Sequence, residues 1–231
     1  MPIDRLAHLR GQRYNRPEPG SYKSYQGFSL NPVWVIIAVN LIVFIAAVIS
    51  GKVYITYGDV PVAVTYKLNY YLGLTPAALG ERPWTIVTNM FAHAGFGHIF
   101  GNMIVLFFFG RFLAMLVGQN RFLWVYFGGG ILGNIIFILW GLWQQPFSMA
   151  VGASGAVYAL AGALVVMMPR LRVYLYFIVP MPLWVVVIVF FVLWSFIPGL
   201  NIAWQAHIGG LIAGLIAGYF FRRQQRYYYI R

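Results

Sequence analysis

Charge is scarce in this chain. Only 9% of its 231 residues are charged, against about 25% in a soluble domain. Hydrophobic residues make up 61% and mean hydropathy is +0.75, so the chain belongs in lipid. Cysteine is absent, which excludes disulfides and thiolate metal sites and leaves the redox compartment unread. Acidic residues number four, and none follows Glu81. That gap removes an intramembrane aspartyl dyad, a carboxylate proton relay and the His-Glu-x-x-His metalloprotease motif, whose Glu is the base. The first thirty residues hold no apolar run, so no cleavable signal peptide is expected, and no repeat is evident. A short chain without targeting signals points to a prokaryotic cell membrane. The net charge of +12 reads as cytoplasmic ends facing an anionic leaflet, not as a nucleic-acid surface.

Six stretches approach the roughly 20 apolar residues that a spanning helix needs. They are residues 32–50, 95–116, 122–143, 150–168, 173–197 and 202–221. Residues 51–94 carry Pro61, Pro76, Pro83, Lys52, Asp59, Lys67, Glu81 and Arg82 and read as a long structured external loop at the interface. The expected fold is all-α: a polytopic bundle of six transmembrane helices. Residues 1–30 form an amino-terminal tail, 31–221 the membrane domain and 222–231 a carboxy-terminal tail. With both termini cytoplasmic, 13 of the 16 basic residues lie inside, leaving Lys52, Lys67 and Arg82 in the external loop, as the positive-inside rule requires.

Polar side chains within spans are costly and are functional suspects. With this topology the second, fourth and sixth spans run inward from the external face, and each has its polar residues near its start: His98 and Asn102, Ser154, and His207. At about 1.5 Å per residue these lie within the outer third of the core, where water can reach. His98 and Asn102 share a helix face, as do Ser154 and Tyr158. His207 heads a stripe of Gly210, Gly214 and Gly218, and the fourth span offers Gly155, Ala159 and Gly162. Small-residue stripes allow close helix contact in lipid, which would carry His207 to Ser154. Asn40 and Asn134 have no partner in this pattern and read as structural. His93 ends the long loop and reads as a bond to loop backbone, and His8 lies in the polar tail. Trp34, Trp124, Trp140 and Trp204 read as interface belts and core filling.

What chemistry remains is serine with histidine and no aspartate. A neutral imidazole can take the serine proton, an aromatic such as Tyr158 can hold the ring, and Asn102, His98 and the Ser154 backbone N–H can supply oxyanion donors. A competing class is a small-solute transporter or a haem- or metal-binding protein using His93, His98 and His207, although carboxylate support for such ligands is missing.

At these residues the sequence resembles the rhomboid family of intramembrane serine proteases. The likeness covers about residues 80–220 and rests on HAGFGHIFGNM with His98-x-x-x-Asn102, GASG with Gly152, Ser154 and Gly155, and AHIGGLIAG with His207. It implies a Ser154–His207 dyad, His98 and Asn102 at the oxyanion, and Tyr158 stacked on the imidazole. It further implies transmembrane helices as substrates, a small residue at the cleaved bond, no cofactor, and a lateral gate and cap made by the fifth span and residues 198–204. Pro180 and Pro182 then fit a fifth span able to bend. Two departures show: the family often has Trp-Arg in the first loop, where Trp84 here precedes Thr85 and the arginine is Arg82. Ala114 and Leu116 occupy the places of a common Glu-x-Arg.

Overall fold

Pro32 opens the first helix, α1 (Pro32–Ile49), where its missing N–H costs nothing, and the Asn31 side chain caps it by accepting from the Val33 N–H at 3.0 Å. A computed structural model describes the protein over residues 31–57, 60–175, 178–197 and 202–229. The expected amino-terminal tail, Gly199, residues 198–201 of the expected cap and the last two residues lie outside the described residues.

The long loop is built of real elements. Strands β1 (Lys52–Tyr57) and β2 (Val60–Tyr66) pair antiparallel, with an irregularity between Ile55 and Thr56, beside Pro61, which has no N–H to give the ladder. Helix α2 (Lys67–Leu72) follows, and its last carbonyls lack partners within the helix. Arg82 Nη1 donates to the Tyr70 carbonyl, Trp84 Nε1 to Tyr71 at 3.1 Å and Thr88 Oγ1 to Leu72 at 2.9 Å. Arg82 and Trp84, which depart from the family spacing, thus tie down the same helix end. A short helix α3 (Thr85–Thr88) and a 3-10 turn (Asn89–Phe91) lead to the second span.

That span runs over Phe96–Val117 as α4 (Phe96–Val105), a π turn (Leu106–Gly110) and α5 (Arg111–Val117). After Gly118, at φ +89°, comes α6 (Gln119–Gln144). Helix α7 (Ser154–Met167) is followed by a second antiparallel ribbon of β3 (Arg172–Leu175) and β4 (Val179–Pro182). The chain then forms α8 (Leu183–Val186), a π segment (Val187–Val192) and a 3-10 turn (Leu193–Phe196), and ends in α9 (Trp204–Tyr229). Among the described residues, four helices are long and apolar enough to cross a membrane: α1, Phe96–Val117, α6 and the part Trp204–Gln224 of α9.

The helical class therefore stands with two ribbons added, and two expected spans change. The fifth does not begin at Val173, nor do Pro180 and Pro182 bend a helix. Each proline removes an N–H and pushes the residue before it toward extended backbone, so Arg172–Leu175 and Val179–Pro182 pair as a ribbon and the helix starts at Leu183. The fourth begins at Ser154 and has 14 residues, a length of about 21 Å, short of the roughly 30 Å hydrocarbon core.

Helix α7 forms the centre, with nearly all of its side chains buried. A Cβ on Gly129 of α6 would lie 2.1 Å from Ala159 Cβ. On the opposite contact, Cβ atoms on Gly210, Gly214 and Gly218 of α9 would lie 1.9, 2.0 and 2.6 Å from the carbonyl oxygens of Gly155, Ala159 and Ala163. The side chains missing from this stripe are what let two backbones touch.

Asn134 does have a partner. It exchanges two side-chain bonds with Asn89, at 3.0 and 2.8 Å, and also donates to the Ile86 carbonyl at 2.8 Å. Both asparagines are buried, so Asn134→Ala strands the Asn89 amide. The expected cost is about 1–3 kcal/mol, read as a lower midpoint in thermal unfolding of detergent-solubilised protein, with Asn134→Gln losing less.

Candidate active site

Ser154 is the first residue of α7, so its N–H belongs to the opening turn, whose donors have no acceptor within the helix. The segment before it is clamped by backbone pairs. Leu74 and Ala150 exchange N–H···O bonds of 2.9 and 2.8 Å, and the Gly152 N–H donates to the Asn89 carbonyl at 2.8 Å. The Ala153 N–H points at His93 Nε2 at 3.5 Å, while the His93 carbonyl accepts from Asn69 Nδ2 at 2.8 Å. Gly152 has φ +128°, and a Cβ there would lie 2.7 Å from the Cε1 and Nε2 atoms of His98. Only glycine meets both demands.

Across the stripe, His207 lies in the first turn of α9 with its side chain buried. Its Nε2 is 2.7 Å from Ser154 Oγ. On the far side of the ring, Nδ1 is 2.8 Å from Ser195 Oγ, which is in turn 2.8 Å from the Tyr158 hydroxyl. The Tyr158 ring stacks on the imidazole, with centroids 4.1 Å apart and planes inclined by 20°. Both His207 nitrogens are thus committed to hydroxyls, and service as a metal or haem ligand would break one of these bonds.

His98 Nδ1 accepts from the Ala94 N–H at 3.5 Å, which leaves Nε2 as the protonated nitrogen, the one beside Gly152. Asn102 donates one amide hydrogen to the His98 carbonyl at 2.9 Å and keeps the second. His93 packs edge-on against His98, with centroids 5.1 Å apart. Burial, and secondarily His98, pushes the His93 pKa down to about 3, so it stays neutral and acts by hydrogen bonding. A small cleft beside Ser154 is lined by Met90, Gly130, Gly152, Ala156, Ala203 and Ala206.

The rhomboid domain family model matches residues 80–224, more than half of the chain. The chain belongs to the rhomboid family. It is similar to the rhomboid protein YdcA of Bacillus subtilis, at 35% identity over 161 residues, covering 68% of this chain and 76% of that protein. It is also similar to the rhomboid protease GluP of the same organism, at 30% identity over 185 residues, covering 80% of this chain and 33% of GluP. Against the mitochondrial Rhomboid protein 1 of Saccharomyces cerevisiae it is 29% identical over 148 residues, covering 59% of this chain and 41% of that protein. The chain therefore spans about three quarters of YdcA but less than half of the other two.

Sequence reasoning about this rhomboid protein brought together Ser154, His207, Tyr158, His98, Asn102, Gly152, Gly155, Gly210 and Gly214. It passed over three side chains that border or brace the site. Ser195 is a polar residue inside the fifth apolar stretch, and the same rule that singled out Ser154 would have found it. Asn69 and Asn89 sit in the long loop, where polar residues are ordinary, and no sequence signal marks them.

Proposed function

We propose that this rhomboid protein hydrolyses peptide bonds in or near transmembrane helices of other membrane proteins, with Ser154 as nucleophile and His207 as general base and acid. As a rhomboid protein it is a membrane-embedded serine endopeptidase. The observation that carries the assignment is the 2.7 Å contact between Ser154 Oγ and His207 Nε2. Ser154 Oγ attacks the substrate carbonyl while its proton passes to Nε2. The oxyanion receives the Ser154 N–H at the positive end of α7 together with hydrogens from His98 Nε2 and Asn102 Nδ2. The proton on Nε2 then goes to the leaving amine, and water hydrolyses the acyl-enzyme with His207 as base again.

The glycine- and alanine-lined cleft favours a small residue at the cleaved bond. Because α7 is shorter than the core is thick, Ser154 is recessed where external water can enter. The distribution of basic residues supports cytoplasmic termini, an active site open to the external face and a six-span membrane domain over residues 31–221.

The test is cleavage of a single-span substrate, with a small residue in its helix, by purified protein in detergent. Wild type is expected to cleave and to be labelled by a fluorophosphonate, and Ser154→Ala to lose cleavage by roughly a thousandfold or more together with the label. Equal cleavage by the two proteins would sink the assignment.

A further inference from the structure

We propose that Ser195 is a positioning residue for His207, taking the place that an aspartate holds in a three-member triad. The inference rests on the Ser–His reading above. For Nε2 to accept the Ser154 proton, the ring hydrogen must sit on Nδ1, and a hydrogen on a buried Nδ1 needs an acceptor. Ser195 Oγ lies 2.8 Å from Nδ1 and is itself buried. A hydroxyl has one hydrogen and two lone pairs. Its oxygen can therefore accept the Nδ1–H while it also contacts the Tyr158 hydroxyl at 2.8 Å. Once Nε2 has taken the proton, the same bond becomes charge-assisted and stronger.

Three helices meet in this chain of contacts. Ser154 and Tyr158 stand on α7, His207 on α9, and Ser195 on the 3-10 turn that ends the fifth helix. That turn follows the π segment Val187–Val192. A π turn inserts a residue into the helical repeat and rotates every later side chain by about 100°. The irregular segment thereby sets the direction of Ser195 toward α9. Tyr158 covers one face of the imidazole, but a stacked ring cannot choose between tautomers, whereas an in-plane acceptor at Nδ1 can. Serine is neutral, so its contribution is smaller than that of a triad carboxylate, whose loss costs about 10⁴-fold.

The experiment compares wild type, Ser195→Ala and Ser195→Thr by cleavage kinetics and by ¹⁵N NMR of the His207 ring, with the signal assigned by its loss in His207→Gln. Ser195→Ala is expected to lower kcat about 10- to 100-fold with KM little changed, while the His207 signal moves away from the pure Nδ1–H tautomer. Ser195→Thr, which keeps the hydroxyl, is expected to restore both toward wild type. An unchanged His207 tautomer in Ser195→Ala, or wild-type kcat in that variant, overturns the proposal. If Ser195→Thr does not fold, the Ser195→Ala tautomer alone decides. The ring signal does not depend on turnover, so a wild-type protein that fails to cleave would remove the protease reading while leaving the tautomer result to judge Ser195.

Discussion

Gly214→Val is expected to prevent most of the protein from reaching its folded state. A Cβ at position 214 would lie 2.0 Å from the Ala159 carbonyl oxygen and 2.7 Å from both its carbonyl carbon and its Cα. All three atoms are backbone, so no side chain can swing aside. Relief requires α9 to move away from α7, which opens the neighbouring contact at Gly210, where a Cβ would be 1.9 Å from the Gly155 oxygen. Overpacking of a close interface costs about 1–3 kcal/mol and occasionally more. Here the loss of the adjacent stripe adds to it, because helix association in lipid depends on such close packing. The measurement is monodisperse yield on size exclusion with the thermal midpoint of what remains. Gly128→Ala serves as the control: its Cβ meets nothing within 4 Å, and near wild-type behaviour is expected. A Gly214→Val protein as stable as Gly128→Ala would show that the α7–α9 contact is not tight.

His207→Ala is expected to lower kcat by about 10⁴-fold or more while leaving the fold in place. The side chain meets Ser154, Ser195 and Tyr158, whereas the glycine stripe that holds α9 against α7 begins one turn later at Gly210. Removing the imidazole therefore takes away the base and not the interface. Because serine and base act as one unit, Ser154→Ala with His207→Ala should be no slower than either variant alone. The check is kcat for the three proteins beside their thermal midpoints. A double variant slower by the product of the two single losses would mean that the residues act independently.

Much of the architecture could be read from the chain because membrane constraints are severe. Apolar length marked the four long helices, and the glycines at 210, 214 and 218 marked the face of α9 that meets α7. The absence of acidic residues after Glu81 narrows the chemistry to serine and histidine. The reading failed where apolar composition outweighed backbone chemistry. Residues 173–182 are apolar enough to pass for part of a span, yet Pro180 and Pro182 each remove a donor, and a ribbon satisfies backbone that a helix there could not. Arg82 and Trp84 looked displaced by their spacing but converge on the end of α2, since anchoring depends on reach in space.

By itself, the sequence determined the solvent, the class of fold and the residue types on which catalysis can rest, because hydropathy, charge and spacing along a helix are local properties. Only the tertiary structure decided what surrounds His207. Ser195 is 12 residues from His207 and 37 from Tyr158 along the chain, and a π segment aims it. Neither the rotation that a π turn imposes nor the meeting of three helices at one hydroxyl is encoded in a periodic pattern. The loop braces at Asn69, Asn89 and His93 belong to the same class: each bonds a backbone group distant in sequence, and the partner is fixed only when the helices have packed.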